Sequence, residues 1–270
     1  MQIKYLFADI DGTLLNEHHE VTPRTRAAVE GLKNKGVEVV LCSARPPAAM
    51  VDIVREAGAS PVMICCAGAV VCNGEDILES VHLPTTVLKR VRKALRNSEV
   101  SLNLYLDFDW YVEEPDEWSL QEAAIVGFLP ERANLDELQE EWTQQGVCAN
   151  KLLLISTAEN IQAILPAVEK AVGGEAQVAL SKDNYLEILP NGVDKGSAAR
   201  DFRILRGIRR EETAAAGDQD VDVSLLQGAG IAIAMENGSE KAKAAAHHIA
   251  PPNTEDGLAQ MLEKLFLTKT

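Results

Sequence analysis

Lys4-Tyr5-Leu6-Phe7-Ala8-Asp9-Ile10-Asp11-Gly12-Thr13-Leu14-Leu15 decides how the rest of this 270-residue chain is read. The apolar run up to Ala8 reads as a buried strand, and the two acids with Gly12 read as the loop at its carboxyl end. Thr22-Pro23 then has the form of a helix N-cap followed by proline at the first helical position, and Gly36 suits the helix end. Val37 to Cys42 predicts a second buried strand, Pro47 to Ala57 a helix stopped by Gly58, and Val62 to Cys66 a third strand. The order β-α-β-α-β predicts an α/β fold with a doubly wound, Rossmann-like parallel sheet. In such sheets the reacting groups collect beyond the carboxyl ends of the strands, where Asp9, Ser43 and the Ala67-Gly68 loop fall.

Further along, Asn73-Gly74 predicts a two-residue hairpin turn. After about Leu83 the pattern changes. A helix over Thr85 to Arg96 is followed by strands at Val100 to Leu106 and Trp110 to Glu113, then by helical stretches and a strand at Lys151 to Ser156. A helix from Glu159 to Val172 leads to strands at Gln177 to Leu180 and Tyr185 to Leu189. Paired strands with short turns predict an α+β unit built on an antiparallel sheet. Alternation returns from Asp194, with strands expected at Thr213 to Ala216 and Ile231 to Met235. The expected organisation is a discontinuous α/β core at 1–83 and 190–270, with an inserted α+β domain at 84–189.

Composition limits the function. Aromatic residues make up 4% of the chain, so the core is expected to be aliphatic, as suits strands covered on both faces. A net charge of −15 argues against nucleic acid, which demands a cationic surface. The short basic clusters, Lys89 to Arg96 and Arg203 to Arg210, read as solvated helix faces. No run reaches the roughly 18 apolar residues of a membrane span, and no signal-peptide pattern is visible. Five cysteines without metal-ligand spacing read as reduced packing residues. A cytoplasmic protein with no membrane partner is expected. The pairs His18-His19 and His247-His248 read as surface or loop histidines, and Trp110, Trp118 and Trp142 as packing residues.

The chemistry centres on Asp9 and Asp11. Two carboxylates one residue apart at a strand end share a loop and repel each other unless a cation intervenes. Mg²⁺ answers that need, because it prefers carboxylate and carbonyl oxygens and keeps waters or phosphates as its other ligands. One aspartate can then attack phosphorus to form an aspartyl-phosphate. The other can protonate the leaving alcohol and later deprotonate water. Taken alone, Asp-x-Asp equally suits a turn or a helix cap. Three later features change its weight. Ser43 follows the second strand and offers a hydroxyl and a backbone N–H to a phosphoryl oxygen. Lys195, in Gly192-Val193-Asp194-Lys195-Gly196, can neutralise charge that develops in phosphoryl transfer. Gly217-Asp218-Gln219-Asp220-Val221-Asp222 brings further carboxylates to a strand end.

Acid pair, hydroxyl, lysine and second acid pair, in that order, resemble the haloacid dehalogenase superfamily, in its Cof-type sugar-phosphatase branch (subfamily IIB) with an inserted cap of the C2B class. The resemblance spans essentially the whole chain, including Gly228-Ala229-Gly230-Ile231-Ala232-Ile233-Ala234-Met235 and the tail Ala250 to Leu258. It implies that Asp9 is the nucleophile and Asp11 the general acid and base. Mg²⁺ would be held by Asp9, the backbone carbonyl of Asp11 and Asp218, with Asp222 close behind. Phosphate would be held by Ser43, Lys195 and the N–H groups of Ile10 and Ala44. Arg45 would either touch the substrate or start a surface helix. Two departures stand out: Val221 replaces a usual Asn that helps to bind phosphate, and Ala67 replaces the Asn of a frequent Asn-Gly-Ala. The resemblance implies a Mg²⁺-dependent phosphatase for small phosphorylated metabolites, sugar phosphates among them, as a monomer or homodimer whose cap closes to exclude water. The alternatives are a phosphotransferase or phosphosugar mutase, and a binder of phosphorylated ligands with a weakened site.

Overall fold

Tyr5–Asp9 forms β1, buried along its whole length, in a computed structural model that describes residues 3–268. α1 (Pro23–Asn34) starts where the Thr22 hydroxyl accepts the Thr25 N–H at 3.1 Å, and it is followed by β2 (Glu38–Cys42). The helix expected over Pro47 to Ala57 is divided. Pro47–Ala49 makes one tight turn, and α2 proper is Val51–Ala57, capped by Gly58 in the left-handed region. Adjacent prolines at 46 and 47 offer no N–H to a helical ladder, which delays the regular helix. β3 (Val62–Cys65), β4 (Val70–Asn73) and β5 (Asp76–Ser80) follow, and the hairpin turn falls on Gly74 and Glu75, one residue later than the Asn73-Gly74 turn expected.

The inserted segment contributes α3 (Thr85–Leu95), β6 (Ser101–Leu106), β7 (Asp109–Val112), α4 (Glu117–Val126), β8 (Glu131–Arg132), α5 (Leu135–Gln145) and β9 (Lys151–Ile155). It ends with α6 (Ala158–Val172), β10 (Ala176–Lys182) and β11 (Tyr185–Pro190). Its six strands form one sheet in the order β10-β11-β9-β6-β7-β8, antiparallel except between β7 and β8. Alternation along the strands divides the side chains. Leu104, Leu152, Leu154, Leu186 and Ile188 pack with α3, α5 and α6, while Tyr105, Trp110, Leu153 and Tyr185 pack with α4. Trp110 and Trp142 are buried packing residues, and the Trp110 Nε1–H donates to Asn103 Oδ1 at 3.0 Å.

The chain then returns with α7 (Lys195–Leu205), β12 (Thr213–Gly217), α8 (Val223–Gly228), β13 (Ile231–Met235), α9 (Glu240–Ala245), β14 (His248–Ala250) and α10 (Gly257–Leu262). Contacts divide the chain into two units. One holds the described residues up to Arg45, Met50–Leu78 and those from Asp194 onward; the other holds Pro46–Ala49 and Glu79–Val193. The breaks lie a few residues from the expected 83/84 and 189/190, for visible reasons. Ser80 donates to Asp107 at 2.6 Å and the Leu83 N–H donates to the Ala149 carbonyl at 2.9 Å, so the segment before 84 belongs with the insert. Gln177 Nε2 donates to the carbonyls of Pro190 and Val193, which carries the insert beyond 189. No helix among the described residues is long and apolar enough to cross a membrane.

The first unit's sheet runs β14-β13-β12-β1-β2-β3-β4-β5. It is parallel from β14 to β3, but β4 returns antiparallel to β3, so the expected parallel sheet carries a hairpin on one edge. Phe7, Val40, Ile64, Ala215 and Ala234 face Phe202, Leu225 and Ala242 of α7, α8 and α9. Their alternates Leu6, Ala8, Val39 and Leu41 are equally buried, on the side of α1, α2 and α10. From β1 the chain first builds outward through β2 and β3 and later returns to β1's other side as β12. The direction of winding therefore reverses between β1 and β12, where open α/β sheets leave a crevice beyond the strand ends.

Candidate active site

Register places the acids in that crevice. Ala8 pairs with Ala216 on one side and Leu41 on the other, so Asp9 ends β1 level with the end of β12, and Asp218 follows directly after Gly217. Small residues along β12, Ala214-Ala215-Ala216-Gly217, allow the strand to pack closely. A Cβ on Gly217 would lie 2.5 Å from the Asp222 Cβ. Beyond β1, the Leu15 N–H donates to the Ile10 carbonyl at 3.0 Å, and Gly12 turns the chain at φ +83°. A Cβ at Gly12 would lie 2.5 Å from Asp218 Oδ2, so glycine is needed here for both its conformation and its lack of bulk.

Asp9, Asp218 and Asp222 are buried, with one carboxylate oxygen from each inside a 4.8 Å group. Lys195, 3% exposed, donates through Nζ to Asp9 Oδ1 at 2.5 Å and Asp222 Oδ1 at 2.7 Å. The other Asp222 oxygen accepts the N–H groups of Asp218 and Gln219, both at 3.0 Å. Asp222 is thus fully engaged and holds the lysine and the loop from behind. Asp218 accepts Thr13 Oγ1–H at 2.9 Å and Gln219 Nε2–H at 2.7 Å.

Burial raises the Asp9 carboxyl well above the ordinary carboxylate range, and the Asp222 charge adds to this while Lys195 offsets it in part. Burial likewise raises Asp218, against the bonds from Gln219 and Thr13. Burial works to lower Lys195, but the charges of Asp9 and Asp222 outweigh it and hold the ammonium protonated. Three buried carboxylates facing one lysine leave an excess of negative charge, and a buried charge is tolerated only when paired or bound to metal. The donors are hard oxygens, as Mg²⁺ requires. The residues fit a divalent cation.

Asp11 is placed differently. Its carboxylate takes a two-point grip from Arg45, Nε to Oδ2 at 2.8 Å and Nη2 to Oδ1 at 2.7 Å, and His19 Nδ1 stands 3.4 Å from Oδ1. Burial alone would raise the Asp11 carboxyl, but Arg45, aided by His19, holds it below its ordinary value. Arg45 is therefore engaged with an acid of the site, which neither sequence expectation for it included. Ser43 is buried at the end of β2, and its Oγ accepts the Arg45 N–H at 3.1 Å. Its own N–H donates to the Ile64 carbonyl at 2.8 Å, so the backbone N–H that the sequence offered to phosphate is already engaged. Ile10 is buried between Asp9 and Asp11, and Ala44 lies between Ser43 and Arg45.

Behind Lys195 lies a contact that the sequence order conceals. Cys66, Ala67 and Gly68 all have positive φ, at +48°, +53° and +105°. A Cβ on Gly68 would sit 2.4 Å from the Asp194 carbonyl oxygen, so the loop after β3 presses on the N-cap of α7. Asp194 caps that helix by accepting the Ser197 N–H at 2.8 Å, which sets Lys195 at its first turn. Asn237, also missed from sequence, donates to the Gly12 carbonyl at 2.9 Å. Val221 is exposed between Asp220, which pairs with Lys241, and Asp222. The five cysteines are buried and free, and His247 is an exposed loop residue whose Nδ1 accepts the Ala232 N–H at 2.8 Å.

Residues 6–262 match the haloacid dehalogenase-like hydrolase family. A Yersinia pestis (strain Pestoides F) protein named HMP-PP phosphatase is 26% identical over 236 residues, covering 87% of this chain and 84% of that one. A crystal structure of a haloacid dehalogenase-like hydrolase from Bacteroides thetaiotaomicron aligns with a TM-score of 0.88 at 26% identity, covering 98% of this chain and 100% of the other. The crystal structure of a Thermotoga maritima protein aligns with a TM-score of 0.86 at 27% identity, covering 100% of this chain and 99% of the other.

Proposed function

The chain belongs to the haloacid dehalogenase-like hydrolases and is a phosphatase of that family, and on that footing we propose that it uses Mg²⁺ to hydrolyse small phosphorylated metabolites, sugar phosphates among them, through an aspartyl-phosphate. One observation carries the reading: a buried lysine bridging Asp9 and Asp222, beside Asp218, in a cluster that still has more negative charge than it compensates.

In this reading Asp9, the Asp11 carbonyl and Asp218 hold the ion, and Asp222 stands behind them. When bound, Mg²⁺ neutralises phosphoryl oxygens and lets the carboxylates and an anionic substrate share one site. Lys195 fixes the orientation of Asp9 through Oδ1, and the Asp9 carboxylate attacks phosphorus. The new Asp9–phosphorus bond forms as the bond to the leaving oxygen breaks, and Asp11 supplies the proton that releases an alcohol. Water then attacks the phosphorus, Asp11 takes its proton, and the Asp9–phosphorus bond breaks to free inorganic phosphate and restore the carboxylate. The Arg45 grip favours the ionised form of Asp11, which the second displacement uses. The Ser43 hydroxyl, the Lys195 ammonium and the Ile10 and Ala44 N–H groups bind phosphoryl oxygens.

A panel of an aryl phosphate and small phosphorylated metabolites tests this, with released phosphate as the readout. We expect Mg²⁺-dependent release that ends with chelation or with Asp9→Asn. A pure, folded protein without Mg²⁺-dependent turnover anywhere on the panel refutes the reading. Isomerised sugar phosphate in place of free phosphate would identify a mutase.

A further inference from the structure

Lys89, Arg92 and Lys93 of α3, with Arg96 at its C-cap, line a cavity of about 630 Å³ in the inserted unit. Every lining residue belongs to that unit, so the carboxylates and Lys195 described above take no part in it. Its size lies in the usual range for a small-molecule site.

α3 buries Val87, Leu88, Val91 and Leu95 and turns its cations outward. Arg92 is committed, to Asp136 at 2.8 Å and the Leu135 carbonyl at 3.0 Å. Lys89, Lys93 and Arg96 are exposed and have no ion-pair or hydrogen-bond partner among the described residues. Four acids share the cavity; two are in ion pairs, Asp116 is held by hydrogen bonds, and Glu113 has no partner among the described residues. Arg92 takes Asp136, Arg132 takes Glu114, and Asp116 caps α4 while also accepting the Ser101 hydroxyl. The helix C-terminal dipole accounts for cations in the last turn, but Lys89 lies well before it. Glu113 and Asp116 keep their charges in the lining, so the three unpartnered cations exceed the acids left to face them by one, and they stand together along one helical face in a chain of net charge −15.

Geometry narrows the ligand. Positions 89, 93 and 96 share one helix face, and their ends are separated by roughly 10 Å along the axis. One phosphate is too small to engage all three, whereas two or more phosphoryl groups on one molecule match that span. Between the cationic face and the acids, half-buried Val100 supplies apolar surface, with the largely buried Leu95 and Leu135 beside it in the lining. We propose that this cavity is a second anion site, which takes a small molecule with two or more phosphoryl groups on an apolar body, of the nucleoside polyphosphate kind. The Lys89 to Arg96 cluster is then a binding wall as well as a solvated face. The inference does not rest on the phosphatase reading.

Calorimetric titration of ATP into the full-length Asp9→Asn protein, in EDTA, tests the site without turnover. One binding event is expected, and it should weaken as salt is raised. Adding Lys93→Gln and Arg96→Gln should weaken it at least tenfold. Lys170→Gln, an exposed insert cation outside the cavity, should leave it unchanged, and tripolyphosphate should compete where adenosine does not. The proposal is overturned if ATP does not bind, if Lys93→Gln/Arg96→Gln leaves binding unchanged, or if Lys170→Gln weakens it equally.

Discussion

Replacing Asp218 by Asn separates the chemistry of the acid cluster from its electrostatic cost. Oxygens of Asp9, Asp218 and Asp222 come within 4.8 Å of one another. Two unit charges at that distance repel by roughly 3.5 kcal/mol at an effective dielectric constant of about 20. Asn removes one charge and so relieves two such pairs. Against this, the amide keeps one acceptor for Thr13 or Gln219 and turns a donor toward the other. An unmatched buried polar group costs about 1–3 kcal/mol. Neutralisation by proton uptake, toward which burial already presses Asp9 and Asp218, reduces the gain further. The balance is a stabilisation of about 1–3 kcal/mol without metal, or roughly 2–12 °C in Tm at about 2–4 °C per kcal/mol.

The parent should behave in the opposite sense when Mg²⁺ is supplied. Ligand at a hundred times its Kd stabilises by about 2.7 kcal/mol, an upward shift of roughly 5–10 °C. Asp218→Asn should lose that response. Thermal melts of both proteins in EDTA and in excess Mg²⁺ give the four numbers required, and phosphate release gives the functional control. The reasoning fails if the parent melts at the same temperature with and without Mg²⁺. It fails equally if Asp218→Asn melts below the parent in EDTA, since three like charges would then not be the dominant cost.

The other expectations are narrower. Arg45→Lys replaces the fork on Asp11 with a single point charge, and kcat should fall roughly 10–100-fold, up to the lower end of what acid–base catalysis contributes; an unchanged kcat would remove Arg45 from the mechanism. Gly68→Ala puts a Cβ 2.4 Å from the Asp194 carbonyl oxygen at φ +105°, so it should cost about 1–3 kcal/mol in denaturant titration and reduce turnover with it. Ala67→Asn suits a φ of +53° and should raise Tm by a few degrees, because Asn tolerates the left-handed region that costs other residues roughly 1–2 kcal/mol. Glu212, bonded first by Arg209 and then by Lys4, is pushed down to about 2. A depressed carboxyl stabilises above its unfolded value and loses that contribution as pH falls toward the folded one. The Tm deficit of Glu212→Gln should therefore be full above pH 5 and shrink toward pH 3.

Local pattern made much of this molecule readable. β1, β2, β3 and β12 are short aliphatic runs with turn residues after them, and Thr22-Pro23 carries the start of α1 in two letters. The order of acid pair, serine, lysine and second acid pair was visible because each follows a strand or starts a helix. What stayed hidden depends on distant approach. Thr13 meets Asp218 across 205 positions, and nothing in the composition of either neighbourhood announces the pair. Ser43 reads as offering its N–H until the β2–β3 register assigns that group to Ile64. Arg45 reads equally well as a surface residue because its partner is 34 positions earlier. Ala67 shows the reverse case: its strained φ explains why Asn suits this turn, yet alanine itself signals nothing.

The acidity of the chain sharpens the reading of the site. A protein of net charge −15 repels an anionic substrate at long range, so attraction has to be built within a few ångströms. Lys195 can still donate its third N–H to a phosphoryl oxygen but brings no net positive charge there, because Asp9 and Asp222 already offset it. On the proposed reading, positive potential at the phosphoryl position comes from a further cation, which the excess carboxylates would attract. The carboxylates that repel one another would then make the site attractive to substrate once a divalent ion is held. Arg45 cannot substitute for that ion while both of its bonded nitrogens face Asp11. In the proposed mechanism Lys195 serves the nucleophile, Arg45 the acid and base, and an ion the phosphate, so removing any one should impair a different part of catalysis.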